Sequence, residues 1–149
     1  MTTNEVLARQ NFITKVLFKN GDESISKDLK VKIMAMRIEY SKVRKQFDED
    51  IQEFIKGVTP EGFIELQNKK DRTKEEQKTL DEMISKINVE YNAYINKISS
   101  NECNVKNEKL TEDDFNEIVA VMPEDDIEIN GQKISIGDYL EILHTLFVD

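Results

Sequence analysis

The sequence predicts a mainly α-helical protein: an antiparallel hairpin of two long, coiled-coil-like helices, with short helices and a C-terminal β-hairpin added to it. Apolar residues recur every three or four positions along two long segments. The 149 residues include only two prolines and five glycines, and these fall where that period changes. Near the C-terminus an Asn-Gly pair lies between alternating apolar residues, which is the strongest short signal for a β-hairpin.

A short amphipathic helix is predicted over residues 4–19. Thr3 or Asn4 would cap its N-terminus, and Asn20-Gly21 would end it. Its apolar face would consist of Val6, Leu7, Ile13, Val16 and Leu17.

The first long helix is predicted from Ile25 to Lys56, and Gly57 would close it. Its apolar positions are spaced 4, 3, 4, 3, 4, which is the pattern of a heptad seam: Leu29, Ile33, Met36, Tyr40, Val43 and Phe47. At ~1.5 Å per residue the helix would be about 45 Å long. Asp50 takes the next seam position, so the coiled-coil register should be interrupted there.

Two further helices follow. Thr59 before Pro60 predicts a helix start, and the short helix would carry Phe63 and Leu66 and end at residues 68–71. The pair Thr73 and Glu76 forms a capping box that opens the second long helix. Its seam has the same spacing as the first: Leu80, Ile84, Ile87, Tyr91, Tyr94 and Ile98. Matched stripes joined by a short connection predict antiparallel packing of the two long helices.

Charge and polarity divide the chain into a helical hairpin domain at 1–98, a polar linker at 99–109 and a small acidic subdomain at 110–149. Residues 1–107 hold 19 basic and 18 acidic side chains, whereas residues 108–149 hold 2 basic and 12 acidic ones. The whole negative excess therefore lies in the C-terminal piece, where two acidic clusters are found: Glu112-Asp113-Asp114 and Glu124-Asp125-Asp126. Acidic first-turn residues suit a helix dipole, and the same clusters could also engage a basic partner.

The acidic subdomain is predicted to contain a helix, a β-hairpin and a closing helix. Thr111 would cap the first helix, with Asp114 at its third helical position as in a capping box, and Pro123 would stop it. Across an Asn130-Gly131 turn the hairpin would pair Ile127 with Ile134 and Glu128 with Lys133. Its isoleucine face needs a partner, and the closing helix supplies one: Tyr139, Leu143, Leu146 and Phe147.

Residues with catalytic or ligand-binding chemistry are few, and we expect no catalytic, cofactor-binding or metal site. The single cysteine, Cys103, cannot form an internal disulfide, and the single histidine, His144, has no obvious catalytic partner. The run from Asp126 to Gly131 imitates half of an EF-hand loop, but Lys133 and Gly137 take positions that such a loop reserves for apolar and acidic residues. Glycine-rich phosphate-binding motifs are absent.

The overall charge of −9 should repel nucleic acid. Basic residues do recur beside the first seam, at Lys27, Lys30, Lys32, Arg37, Lys42, Arg44 and Lys45. This stripe could contact phosphates or an acidic protein, but we expect a solvated flank that pairs with acidic neighbours. Neither a membrane span nor a signal peptide is evident, which predicts a soluble, intracellular protein.

Taken together, several segments resemble a small protein found in crAss-like gut bacteriophages: NEVLARQNFI, SKDLKVKIM, RKQFDED, TPEGF, NVEYNAY, DFNEIV, DIEINGQKI and DYLEIL. The layout is also similar to an uncharacterised phage family encoded near tail genes. The resemblance covers nearly the whole chain, but its motifs are structural and bring no catalytic residues with them. It implies a phage product made in the bacterial cytoplasm and incorporated into the virion.

Two functions are compatible with these features. The first is a non-enzymatic structural or assembly protein of the phage particle, such as a head-tail or tail-associated subunit, that contacts itself or other phage proteins as a homo-oligomer or ring component. The second is an acidic inhibitor that imitates nucleic acid and blocks a host defence protein. Because only one third of the chain is acidic in net charge and its carboxylates are not spread along a long face, the first function is preferred.

Overall fold

The computed structural model describes residues 1–14, 25–106, 109–122, 126–129 and 131–148. In these ranges the protein is mainly helical, as the apolar periodicity predicts. The elements in chain order are α1 (Thr3–Phe12), α2 (Lys27–Val58), α3 (Phe63–Asn68), α4 (Lys74–Ser99), α5 (Glu112–Ala120), β1 (Ile127–Ile129), β2 (Gln132–Ile134) and α6 (Ile136–Phe147).

Helix α1 begins one or two residues earlier than predicted, because Thr2 is its N-cap. The Thr2 hydroxyl accepts a hydrogen bond from the Glu5 amide at 3.3 Å, and the Glu5 carboxylate accepts one from the Thr2 amide at 2.7 Å. These bonds form a capping box, and the hydrogen bond from the Thr2 amide is the main cause that holds the pKa of the Glu5 carboxyl below its ordinary value. Thr3, one of the predicted caps, is buried instead. Residues 15–24, which include the predicted end of this helix, lie outside the described residues.

One apolar cluster forms the core of the protein. Its buried members come from α1, α2, α5, α6 and the segment before α5: Val6, Phe12, Ile13, Leu29, Ile33, Met36, Tyr40, Leu110, Ile118, Tyr139, Leu143 and Phe147. The ring of Phe12 stacks on that of Tyr139, with 4.9 Å between centroids. Burial raises the pKa of the Tyr139 phenol. We call the elements around this cluster, with residues 27–43 of α2, the head.

The predicted coiled-coil seam is wrong. Four of its α2 positions, Leu29, Ile33, Met36 and Tyr40, are buried in the head, and α4 contributes no buried side chain to that cluster. Burial of an apolar stripe is non-directional, so the stripe can pack against a mixture of elements as well as against one matched helix. Tyr40 and Tyr91, which the matched stripes would place in one seam, therefore differ: Tyr40 is fully buried and Tyr91 is only half-buried.

Helices α2 and α4 meet through the C-terminal half of α2. The rings of Phe54 and Tyr94 stack with 4.1 Å between centroids, and Phe47 lines a cleft together with Ile98. The residue with the lower number in α2, Phe47, lies near the residue with the higher number in α4, Ile98. The two helices therefore run antiparallel there. Helix α3 packs along the remainder of α4, where Leu80 is buried. We call residues 44–99 the arm.

The start of α3 also differs from the prediction. Its N-cap is Gly62, which has a positive φ of 80°, a conformation that glycine adopts without strain. Thr59, the predicted cap, instead ends α2, where its hydroxyl donates to the Ile55 carbonyl at 2.6 Å. The capping box that Thr73 and Glu76 form at the start of α4 is confirmed.

The polar segment after α4 is tied to the N-terminus. The Thr3 amide donates to the Asn101 carbonyl at 2.8 Å, and the Cys103 amide donates to the Met1 carbonyl at 2.8 Å. Further along, the Leu110 amide donates to the Phe147 carbonyl at 2.7 Å. The division of the chain at 99–109 stays a prediction, but the pieces on either side share one core.

In the C-terminal piece, Thr111 caps α5 through a capping box with Asp114, as predicted. Strands β1 and β2 then pair antiparallel, with Ile127 opposite Ile134 and Glu128 opposite Lys133. Gly131 has a φ of 78°. The predicted turn also includes Asn130, which lies outside the described residues, so the turn type stays a prediction.

Candidate interaction surface

Helix α2 exposes apolar side chains on the side opposite its buried face. Val31 is 61% exposed, Met34 38% and Ile38 54%, and their spacing of three and four residues places them along one side of the helix. Single exposed apolar residues are ordinary on protein surfaces, but contiguous ones indicate contact sites. We call Val31, Met34, Ile38 and the neighbouring Ala35 the α2 outer face.

The α2 outer face lies in a basic part of the helix. Residues 27–45 contain seven basic and two acidic side chains. One of these acids, Glu39, is paired with Lys42 at 2.5 Å. Lys27 lies one turn before Val31 and makes no ion pair with the residues that the structure describes. The surface thus combines exposed apolar groups with a positive rim.

A cavity of about 260 Å³ adjoins the α2 outer face, between α2 and the segment that follows α4. It is lined by Ala35, Met36, Ile38, Glu39 and Lys106. The lining mixes aliphatic side chains with one acidic and one basic group. Such a cavity can accept an aliphatic side chain from a partner, while Lys106 offers a cation to a neighbouring carboxylate.

The inner flank of the same basic segment is paired within the molecule. Lys32 donates to the Asp114 carboxylate of α5. Ser26, the N-cap of α2, donates to the Glu117 carboxylate through its amide and, at 3.0 Å, through its hydroxyl. The prediction that the basic stripe pairs with acidic neighbours is therefore confirmed for Lys32, and two carboxylates of α5 are already engaged.

Asp114 has a lowered pKa. Partial burial alone would raise it, but the hydrogen bonds from the Lys32 ammonium and the Thr111 amide outweigh burial and hold the pKa below its ordinary value of 3.8. A carboxyl group with a lowered pKa stabilises the folded state above the pKa it has in the unfolded chain. That stabilisation is lost as the pH falls through its folded pKa.

We expect Asp114→Asn to lower the free energy of unfolding at neutral pH by about 1 kcal/mol, because it weakens both the cap and the ion pair. The difference from the parent should shrink as the pH is lowered below 3.8. Urea unfolding at neutral and acidic pH measures both effects. The control is Asp113→Asn at the exposed neighbouring position, and an equal loss there would contradict the assignment.

Cys103 lines a second cleft, of about 330 Å³, between α1, α2 and the end of α4. Its Sγ lies 3.0 Å from the Thr3 hydroxyl. The other lining residues are Val43, Gln46, Phe47, Asp50, Ile98, Asn101, Glu102 and Asn104. None of these lining residues is basic.

His144 joins the last two helices. Its Nε2 lies 3.1 Å from the Glu112 carboxylate, and its ring meets the Phe115 ring edge-on, with 5.1 Å between centroids. These neighbours position α6 against α5. The His144 ring is also about half exposed to solvent. It is therefore a side chain at the surface of α6.

Other sequence candidates are scattered over the surface. Arg44, the first residue of the arm, donates to the Asn11 side chain of α1 at 2.8 Å, so it is engaged in a contact with the head. Asp126 is exposed, while Glu124 and Asp125 lie outside the described residues. In the ranges that the structure describes, no group of three or more histidine, cysteine, aspartate or glutamate side chains is placed to hold a metal ion.

Comparison with known proteins finds no family model, no curated protein and no solved structure that matches the chain. Of the helices described, none is both long and apolar enough to span a membrane. The surface must therefore be interpreted from its own geometry.

The α2 outer face was not predicted from the sequence. The heptad spacing predicts one apolar seam on α2, with the rest of the helix basic and solvated. The missing signal was a second apolar series, Val31, Met34 and Ile38, offset from the seam by about half a turn. A helix that is apolar on two opposite sides has more apolar surface than one core can bury.

Proposed function

We propose that this protein is a non-enzymatic bacteriophage structural or assembly protein that acts through protein–protein contacts. The observation that carries the proposal is the α2 outer face, where Val31, Met34 and Ile38 are exposed in a basic part of the helix. Exposed apolar groups with a charged rim are the usual composition of a protein contact surface. The phage context comes from the sequence resemblance alone.

The arrangement of α5 supports this function over the nucleic-acid mimic. A mimic needs carboxylates spread over a free surface that faces a basic groove. In this protein Asp114 and Glu117 are hydrogen-bonded to Lys32 and Ser26, so part of the acidic cluster stabilises the head. Those carboxylates are not free to imitate phosphates.

Mass spectrometry of purified virions tests the proposal. We expect the protein in the particle at a fixed ratio to the other structural proteins. A phage carrying Val31→Ser with Ile38→Ser should incorporate less of it, at least about fivefold less if the contact contributes 1 kcal/mol or more. Val89→Ser is the matched control, because Val89 is 70% exposed on α4 and lies away from α2's outer face.

Absence of the protein from virions and from assembly intermediates would contradict the proposal. Equal incorporation of the parent and the double variant would show that the α2 outer face is not the contact.

A further inference from the structure

Helix α6 carries a second outward face of opposite charge. It buries Tyr139, Leu143 and Phe147 and exposes Asp138, Glu141 and Ile142 on another side. Ile142 is a large apolar side chain and is 39% exposed. We call Asp138, Glu141 and Ile142 the α6 outer face.

We propose that the α6 outer face of one copy docks on the α2 outer face of a second copy. Ile142 would enter the cavity beside Ile38, and Glu141 would pair with Lys106, which lines the same cavity. Lys27, further towards the N-terminus of α2, adds to the positive charge that faces the acidic side chains. This inference rests on the proposed function and names the partner of the surface that carries it.

Charge complementarity selects this pairing over others. Residues 27–45 hold seven basic and two acidic side chains, whereas residues 108–149 hold two basic and twelve acidic ones. Glu141 and Lys106 make no ion pair within the part of the chain that the structure describes. A contact between two α2 outer faces would instead bring the basic segments 27–45 of two copies together. Like charges across an interface oppose binding.

The positions of the two faces determine the kind of assembly. Helices α2 and α6 both bury their other sides in the same core cluster, so both outer faces lie on the outside of the head. One copy can then bind two neighbours, one through each face. Such a head-to-tail contact closes into a ring if its rotation closes, and otherwise extends as a filament.

Sedimentation velocity of the full chain tests the inference. At about 50 mM salt we expect the average mass at high micromolar concentration to be at least about twice the monomer mass, and to fall towards the monomer as salt screens the charges. The monomer mass is 17.4 kDa.

Charge reversal separates this contact from others. Lys27→Glu with Lys106→Glu reverses the α2 side, and Glu141→Lys reverses the α6 side. All three residues are exposed, so both variants should fold and give the parental circular dichroism spectrum. Each variant alone should stay monomeric. An equimolar mixture should associate again, because a reversed α2 face complements a reversed α6 face.

Val89→Lys, at an exposed position away from both faces, should associate like the parent. Three results would overturn the inference: a parent that is monomeric at every concentration, a reversed variant that associates as the parent does, or a mixture that stays monomeric. A monomeric protein that is nevertheless stoichiometric in virions would overturn this contact and leave the proposed function standing.

Discussion

Replacing Ile33 by Asp should unfold the head. Ile33 is 1% exposed and packs among apolar side chains of the core cluster. Burying an unpaired charge costs several kcal/mol, so we expect the free energy of unfolding to fall by at least about 3 kcal/mol. Thermal unfolding followed by circular dichroism measures the loss.

Two variants make this result specific. Ile38→Asp, five residues along the same helix but on its exposed side, should change stability by less than about 1 kcal/mol. Ile87→Asp, at a half-buried position on the arm, should cost clearly less than Ile33→Asp. Equal losses at Ile33 and Ile87 would restore the matched coiled-coil seam and contradict the structure described here.

Replacing Leu143 by Ala should destabilise the whole head. Leu143 is fully buried at the centre of α6, and truncation of a buried leucine to alanine costs about 2–5 kcal/mol. The neighbouring Ile142 is 39% exposed, so Ile142→Ala should cost less than about 1 kcal/mol. Urea unfolding of the two variants gives the comparison.

The same experiment tests how far the two predicted domains depend on each other. Because α6 shares its core with α1 and α2, helix signal from the N-terminal part should be lost at the lowered midpoint of Leu143→Ala. A second transition that keeps the parental midpoint would show that residues 1–98 fold independently of residues 110–149.

Local features of the sequence predicted local structure well. Two capping boxes, at Thr73 and Thr111, were found from residue types at fixed spacing, since a cap depends on a few neighbouring residues. Errors at the other helix starts also have local causes. At α1 the neighbouring threonines Thr2 and Thr3 offered competing caps, and at α3 Gly62 could adopt a positive φ that the Thr59-Pro60 signal did not anticipate.

The candidate surface could be predicted only in part. The basic character of α2 and the acidic character of the C-terminal piece follow from counting charges. The sequence did not show which lysines face α5 and which face outward. Lys32 pairs with Asp114 of α5, whereas Lys27 is exposed. This difference depends on where the core lies, which the sequence does not specify.

By itself the sequence determined that the protein is helical, where most helices begin, and that the side of α2 bearing Ile33 and Tyr40 is buried. Only the tertiary structure decided what buries that side. The matched period of α4 suggested one partner, yet α1 and α6 take its place in the head, while α4 meets the other half of α2. The reason is that the hydrophobic effect specifies which atoms leave water and leaves open which neighbours cover them.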